Sequence, residues 1–209
     1  MLPVEDRCRI EGFVLAGGKS SRMGQDKALL ELGGVALIER AARLAESVAG
    51  SATIIGANDA FSALGLRVVE DDWPGSGPLG GIATALRMSD AEWNLVIACD
   101  LPYLTRAWLE FLVGSAPGAE TGVGAIVPMN ERGAEPLCAM YAKRSEPAIR
   151  AALEGGTRKV TDGLASLRVK YLEPAEWKGF DSDGLLFKNM NSPEDYTEAR
   201  RRIGGREKR

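Results

Sequence analysis

Short apolar segments alternate with amphipathic helical patterns along most of this 209-residue chain. The segments that predict strands are 12–15, 52–57, 67–70, 93–99, 124–129, 137–142, 168–172 and 186–190. The segments that predict helices are 36–49, 81–88, 106–113, 145–153, 159–167 and 193–203. Strands that alternate with helices usually form a largely parallel sheet with helices on both faces. The pattern therefore predicts an α/β fold, in which ligands bind at the carboxyl ends of the strands.

Two parts of the pattern depart from simple alternation. Strands 124–129 and 137–142 flank a turn rich in Gly, Glu and Arg, which predicts an antiparallel pair that forms a small sub-lobe. The last helix has Ser192 for its N-cap and Pro193 at its first position, and Gly204-Gly205 are expected to end it. Because no linker or internal repeat interrupts the chain, residues 1–209 are expected to form one domain with a disordered basic tail at 204–209.

The composition excludes several classes of function. The formal net charge of −3 argues against nucleic-acid binding as the main activity. The three cysteines are far apart and form no metal-binding pair, and no segment has the apolar length of a membrane span, so a cytoplasmic protein is expected. The chain contains no histidine, which excludes histidine as a nucleophile activator, metal ligand or acid–base catalyst.

The loop after the first predicted strand has the composition of a phosphate-binding site. It runs through Leu15-Ala16-Gly17-Gly18, and Lys19, Arg22 and Lys27 follow. Glycines let main-chain N–H groups approach anionic oxygens, and basic side chains add charge-assisted hydrogen bonds. A tight turn with solvated basic side chains is the alternative interpretation, and the spacing of a Walker A motif is absent. We favour a site that holds a polyphosphate.

Asp100 directly follows the most apolar predicted strand and precedes Leu101-Pro102. A carboxylate at the carboxyl end of a central parallel strand lies where α/β sheets bind ligands. Beside a polyphosphate, such a hard oxygen ligand suits Mg²⁺. The alternative is an Asp that caps the turn before Pro102. The neighbouring Cys99 is expected to be a small core residue rather than a nucleophile.

Other polar residues are weaker candidates. In Glu70-Asp71-Asp72, one acid is placed to hold a ribose hydroxyl or a base N–H group, with a solvated loop as the alternative. Asn189 and Asn191 occupy alternate positions before the last helix, where they suit a polar ligand or ordinary turn chemistry. Arg158-Lys159 suit a second phosphate or a solvated loop.

A G-x-G-x-x-G pattern spans residues 75–80, and Asp100 lies 20 residues beyond it. The spacing is that of a dinucleotide-binding fingerprint. However, residues 72–74 separate the pattern from the preceding strand, and Pro78 removes an N–H group from the supposed phosphate cradle. A glycine-rich loop beside a nucleoside or a second substrate is the better interpretation.

Taken together, these motifs resemble those of the molybdenum cofactor guanylyltransferases, the family of the molybdopterin-guanine dinucleotide biosynthesis protein A. The resemblance covers about residues 11–203. Its carriers are LAGGKSSRMGQDKA at 15–28, VVED at 68–71, GPLGGI at 77–82, CDLPYL at 99–104, EPLCAMY at 135–141 and NMNSPED at 189–195. The resemblance implies a Rossmann-like, three-layer nucleotidyltransferase fold. It also implies transfer of GMP from Mg-GTP to molybdopterin with release of pyrophosphate.

The resemblance assigns roles to individual positions of this chain. It implies that Leu15, Ala16, Gly17, Gly18 and Lys27 bind GTP, that Arg22 lies near the phosphates, that Asp71 contacts the nucleotide, that Asp100 binds both Mg²⁺ and the nucleotide, and that Asn189 and Asn191 serve the molybdopterin side. Arg22, Lys27 and Asp100 are the expected catalytic residues. Molybdoenzymes or their chaperones are possible recipients of the product.

One departure from the family pattern concerns the nucleotide base. Some members have Asn-Ala-Asn where this chain has Gly56-Ala57-Asn58, and Gly56 supplies no side-chain contact to guanine. A main-chain group or Asn58 then substitutes, or base specificity is looser. Two alternatives therefore stay open: a transferase that uses CTP or a sugar-phosphate acceptor, and a non-catalytic nucleotide-binding protein that delivers the cofactor.

Overall fold

A computed structural model describes residues 9–17, 26–56 and 59–206. Its strands are β1 (Ile10–Leu15), β2 (Glu31–Leu32), β3 (Val35–Ala36), β4 (Ala52–Ile55), β5 (Val68–Val69), β6 (Trp93–Ala98), β7 (Ala125–Asn130), β8 (Gly133–Ala134), β9 (Cys138–Ala142) and β10 (Val169–Leu172). Its α-helices are α1 (Leu37–Ala49), α2 (Asp59–Ala63), α3 (Pro78–Met88), α4 (Arg106–Gly114), α5 (Glu146–Glu154), α6 (Val160–Gly163), α7 (Pro174–Trp177) and α8 (Pro193–Arg206).

The main sheet has the strand order β10-β7-β9-β6-β1-β4-β5, and β8 pairs with β7. Neighbouring strands are parallel except around β9, which is antiparallel to both β6 and β7, and at the β7–β8 pair. The chain leaves β1 for β4 and β5 on one side and then returns to β6 on the other. Strand order therefore reverses beside β1, which in open α/β sheets is where ligands bind.

Two apolar cores cover the two faces of this sheet. In β1, Val14 belongs to one core, whereas Phe13 and Leu15 belong to the other, because successive side chains of a strand point to opposite faces. Trp108 of α4 packs in the first core, and Leu79 of α3 packs in the second. The protein thus has the expected three layers of helix, sheet and helix.

The burial pattern explains why individual segments adopt their structures. The buried side chains of α1 are Leu37, Ile38, Ala41, Ala42 and Ala45, which recur every three or four residues on one helix face. All six residues of β6 are buried, as expected for a strand between two neighbours under two helical layers.

The predicted α/β class and three-layer arrangement are confirmed, but the antiparallel pair is not a separate sub-lobe. The strands predicted at 124–129 and 137–142 are β7 and β9, which lie within the main sheet. Every residue of β9 is buried, so an interior position satisfies both its apolar faces and its two hydrogen-bonding edges. The separate antiparallel sheet is instead the two-stranded β2–β3 pair.

The prediction of a strand at 186–190 is wrong, because this segment has no regular secondary structure. Aromatic packing fixes it instead. The Phe187 ring lies edge-on to Trp108 and Trp177, with ring centroids 5.5 and 4.9 Å apart, respectively. The Trp177 indole N–H also donates to the main-chain oxygen of Met129 at 3.0 Å. A short apolar run is compatible with either a strand or such an anchored loop.

The expected end of the last helix is also wrong. Gly204-Gly205 lie inside α8, which continues to Arg206. Glycine costs about 1 kcal/mol in a helix relative to alanine, but it does not forbid helical geometry. The helix is anchored just before these glycines, since Ala199 and Ile203 are buried against Leu32 and Leu37. Among the described residues, no helix is both long and apolar enough to cross a lipid bilayer.

Candidate active site

The carboxyl ends of β1 and β6 form the base of the candidate site. Leu15 and Ala98 are paired in register, and the main-chain N–H of Cys99 donates to the Leu15 oxygen at 3.2 Å. Ala16 and Asp100 therefore leave the sheet at the same edge, as the sequence predicts. This edge is also where strand order reverses.

Lys27 brings two of the other predicted site residues together. Its ammonium donates to Asp100 Oδ2 and to Asn191 Oδ1, both at 2.8 Å. A short 3₁₀ turn presents it, and Asp26 caps this turn by accepting a hydrogen bond from the Ala28 N–H at 3.0 Å. Only 14% of the Lys27 side chain and 22% of the Asp100 side chain are exposed, so solvent screens this ion pair weakly.

Asp100 has the properties expected of a metal ligand. Its Oδ1 is buried and has no hydrogen-bond partner in the described parts of the chain, although an unpaired buried oxygen is costly. Mg²⁺ binds in proteins through one or two carboxylates together with substrate phosphates and water. The described residues contain no group of three acidic or cysteine side chains around a point. Asp100 thus fits the expected Mg²⁺ ligand.

Asp195 holds the Asn191 segment in place. Its Oδ2 accepts hydrogen bonds from the main-chain N–H groups of Asn191 at 3.0 Å and Ser192 at 2.9 Å. Ser192 Oγ in turn accepts from the Asp195 N–H at 3.2 Å, which confirms the predicted start of α8. The hydrogen bond from Asn191 lowers the pKa of the Asp195 carboxyl below its ordinary value, as do those from Ser192. Just before this cap, the Met190 N–H donates to the Asp100 main-chain oxygen at 2.9 Å.

Asp71 has structural partners of its own. Its Oδ1 accepts hydrogen bonds from the Trp73 N–H and the Thr84 hydroxyl, each at 2.9 Å. These bonds fix the loop after β5 onto α3, and Asp72 next to it forms an ion pair with Arg87. No hydrogen bond from the described residues reaches Asp71 Oδ2. A nucleotide contact of Asp71 stays a prediction.

The phosphate loop is described only in part. A β-carbon on Gly17 would meet no atom of the described residues within 4 Å. By contrast, a β-carbon on Gly56 would lie 2.8 Å from the Ala16 oxygen, because the ends of β1 and β4 are closely packed. The predicted residues Gly18, Lys19, Arg22, Ala57 and Asn58 lie outside the described residues.

The cysteine next to the site is not a nucleophile. Burial, reinforced by the charge of Asp100, raises the pKa of the Cys99 thiol to about 12. Only the thiolate is strongly nucleophilic, and so Cys99 is unreactive at neutral pH. This agrees with the interpretation of Cys99 as a small core residue.

A cleft of about 330 Å³ is lined in part by the segments that carry Asp100 and Asn191. Residues from several segments line it, including Pro78, Leu101, Glu135, Arg158, Thr161 and Asn189. Leu101 directly follows Asp100, and Asn189 is two residues from Asn191, so two lining residues belong to the same segments as the partners of Lys27. Sequence reasoning placed Asn189 and Arg158 near a ligand but missed Glu135, whose signal was the acidic residue in EPLCAMY.

The family model of the MobA-like NTP transferase domain matches residues 12–169. The chain belongs to the MobA-like NTP transferase family. Within the match lie Lys27, Asp71 and Asp100, whereas Asn189 and Asn191 come after it. Asn191, which lies beyond the family domain, therefore contributes one of the hydrogen bonds of Lys27.

Two relatives of this chain carry the name probable molybdenum cofactor guanylyltransferase. It is 36% identical over 190 residues to a probable molybdenum cofactor guanylyltransferase of Pelotomaculum thermopropionicum, covering 90% of this chain and 91% of that one. It is 35% identical over 184 residues to a protein of the same name from Carboxydothermus hydrogenoformans, covering 88% and 91%. The crystal structure of molybdopterin-guanine dinucleotide biosynthesis protein A from Archaeoglobus fulgidus matches with a TM-score of 0.79 at 26% identity, over 93% of this chain and 99% of that one.

Proposed function

We propose that this protein transfers GMP from GTP to molybdopterin and releases pyrophosphate. The observation that carries the proposal is the Lys27 ammonium, which joins Asp100 and Asn191 at the ligand-binding edge of the sheet. Lys27 follows the phosphate loop, Asp100 is the expected metal ligand, and Asn191 lies on the expected acceptor side. The guanylyltransferase names of the relatives support the same activity.

The reaction needs no general base, which agrees with a chain that contains no histidine. The nucleophile is the terminal phosphate of molybdopterin, which is largely ionised at neutral pH. One of its oxygens forms a bond to the α-phosphorus of GTP, while the bond from that phosphorus to the bridging oxygen of the β-phosphate breaks. Pyrophosphate leaves with the electron pair. Catalysis then consists of positioning and charge neutralisation.

The chain's own residues divide these tasks. The loop at residues 15–18, with Arg22 and Lys27, holds the triphosphate by main-chain N–H groups and positive charge. Asp100 holds Mg²⁺, which supplies neutralisation of the charge that develops on the phosphates. Asn189 and Asn191 position the acceptor phosphate, since one lines the cleft and the other is bound to Lys27.

The proposal is tested by the Asp100→Ala variant. We expect it to lose pyrophosphate release from GTP and molybdopterin in the presence of Mg²⁺ while its circular dichroism spectrum is unchanged. The matched control is Asp90→Ala, because Asp90 is exposed and precedes β6 at the opposite end of that strand. Near-wild-type turnover of Asp100→Ala would contradict the metal assignment.

A second candidate function is a nucleotidyltransferase with a different base preference. Gly56 favours it, since this position offers no side chain to a base. Comparing turnover with GTP, CTP, ATP and UTP separates the two, and a strong preference for CTP would overturn the guanylyltransferase proposal. GTP binding without Mg²⁺-dependent turnover would instead indicate a non-catalytic delivery protein, although the presence of both Lys27 and Asp100 weighs against this.

Three wider expectations belong to the same proposal. The whole chain of 209 residues acts as one transferase domain. It works in the cytoplasm, where both of its substrates are dissolved. Its product passes to molybdoenzymes or to their chaperones.

A further inference from the structure

Glu135 is the acidic residue in a cleft that apolar side chains line together with Arg158, Lys159, Thr161 and Asn189. Its neighbours there include Pro78, Leu101, Pro136 and Val160. The main chain holds it firmly, because the Glu135 N–H donates to the Pro128 oxygen at 2.8 Å and its own oxygen accepts from the Cys138 N–H at 3.2 Å. The activity proposed above gives this carboxylate no task.

A relay of hydrogen bonds orients the Glu135 carboxylate. The Arg132 N–H donates to Asn130 Oδ1 at 2.7 Å, so the amide nitrogen of Asn130 faces away from that turn. This nitrogen donates to Glu135 Oε1 at 2.5 Å. Glu135 Oε2 receives no hydrogen bond from the described residues, and no ion pair forms there. The protein thus uses one acceptor site of Oε1, whose second lone pair, together with the whole of Oε2, is left for a ligand.

Burial removes water from this carboxylate, so its charged form requires hydrogen-bond donors from the protein or a ligand. Burial raises the pKa of the Glu135 carboxyl above its ordinary value. The hydrogen bond from the Asn130 amide and the charge of Arg132 lower this pKa, but they offset only part of the rise. A buried carboxylate is stabilised when donors reach both of its oxygens. A flat ligand with two adjacent N–H groups meets this requirement, as a guanidinium does in a bidentate pair.

We propose that Glu135 is a specificity-determining residue that accepts the two adjacent N–H groups of a 2-amino-4-oxopyrimidine edge, and that this edge belongs to the pterin of the acceptor. The inference rests on the proposed function, because that function makes the acceptor a pterin. Pterin and guanine share this edge. The strand order favours pterin over guanine as the partner of Glu135. In the sheet, β9 lies on one side of β6, whereas β4 and β5 lie on the other. Glu135 precedes β9, whereas Gly56 and Asp71, on the expected nucleotide side, follow β4 and β5.

Steady-state kinetics of the Glu135→Gln variant test this assignment. Gln has nearly the same shape but replaces one acceptor oxygen with a donor, so we expect the KM for molybdopterin to rise roughly tenfold to a hundredfold. The kcat and the KM for GTP are expected to stay within about twofold of wild type. The matched control is Glu131→Gln, because Glu131 is exposed in the neighbouring turn and does not line the cleft. A rise confined to the KM for GTP would indicate that Glu135 binds guanine rather than pterin, and would overturn the proposal. Unchanged kinetics would overturn it as well.

A binding measurement separates failure of this inference from failure of the proposed function. Fluorescence titration without GTP compares pterin with lumazine, in which an oxygen replaces the 2-amino group. The wild-type protein is expected to bind pterin more tightly than lumazine, and Glu135→Gln is expected to remove this difference. Equal affinity of the wild-type protein for both rings would overturn the role of Glu135 even if GMP transfer to molybdopterin were observed. Loss of the proposed function would instead be seen as no transfer by the wild-type protein.

Discussion

A β-carbon on Gly56 would stand 2.8 Å from the main-chain oxygen of Ala16. The obstacle is a backbone atom of the phosphate loop, so a side-chain rotation cannot relieve the clash. The same two segments are joined by a hydrogen bond from the Ala16 N–H to the Ile55 oxygen at 3.0 Å. The end of β4 therefore supports the loop that follows β1.

Replacing Gly56 by Asn is expected to destabilise this protein. The added atoms push against Ala16, and such overpacking costs about 1–3 kcal/mol. We also expect the KM for GTP to rise, because the shifted main chain belongs to the predicted nucleotide site. Thermal unfolding and steady-state kinetics measure the two effects. Gly114→Ala is the control, since an added β-carbon there would meet no described residue within 4 Å. An unaltered melting temperature in Gly56→Asn would contradict the steric argument.

Removing the charge of Lys27 is expected to reduce turnover much more than stability. In the Lys27→Met variant the triphosphate loses a preorganised cation, and kcat should fall by roughly a hundredfold to a thousandfold. Pyrophosphate release under saturating GTP measures the effect. The control is Lys178→Met, because Lys178 is exposed in the turn after α7. If Lys27→Met kept more than half of the wild-type kcat, Lys27 would have no catalytic role.

Truncating Phe187 is expected to affect both the fold and the acceptor side. The Phe187→Ala variant loses the ring contacts with Trp108 and Trp177, at a cost of roughly 3–5 kcal/mol. Because Asn189 lies only two residues further along the chain, we expect the KM for molybdopterin to rise more than the KM for GTP. Urea unfolding gives the free-energy change. Tyr171→Ala is the comparison, since Tyr171 is 45% exposed and its loss should change stability by less than about 0.5 kcal/mol. Equal destabilisation by both variants would refute the anchoring role.

The stabilising effect of Asp195 is expected to disappear in acid. The pKa of its carboxyl is lowered in the folded protein, so its contribution is fully present above the ordinary value of 3.8 and is lost as the pH falls through the lowered folded pKa. Asp195→Asn should therefore lower the free energy of unfolding equally at pH 7 and pH 5. Below the ordinary value, the gap between variant and wild type should narrow. Urea unfolding at a series of pH values measures this gap, and a gap that widened in acid would reverse the assigned sign.

Local sequence patterns were sufficient for much of the fold and for the centre of the site. Alternating strands and helices predicted the layers, and Lys27 and Asp100 were expected together because both belong to segments that follow carboxyl ends of strands. The glycine-lined loop and the apolar strand before Asp100 are local signals. Their meeting at one edge follows from parallel strand geometry alone.

Other features depend on contacts that local patterns do not encode. Asn191 lies 164 positions from Lys27, and nothing in either segment specifies that they share a hydrogen bond. The segment at 186–190 has an apolar composition that fits a strand, yet the aromatic rings around Phe187 hold it as a loop. The partners of Asp71 lie within its own loop and on α3, so its sequence position alone did not reveal its structural role.

The position of β9 also has a consequence for how the chain is assembled during synthesis. β9 separates β6 from β7, although both of these strands precede it along the chain. Until residue 142 has emerged from the ribosome, the edge of β6 that β9 will cover carries unpaired main-chain groups, which are a template for wrong pairing with other chains. Glu135 lies three residues before this inserted strand, so insertion of β9 also places Glu135. The rest of the acceptor cleft forms later in synthesis, because residues 158–161 and Asn189 also line it.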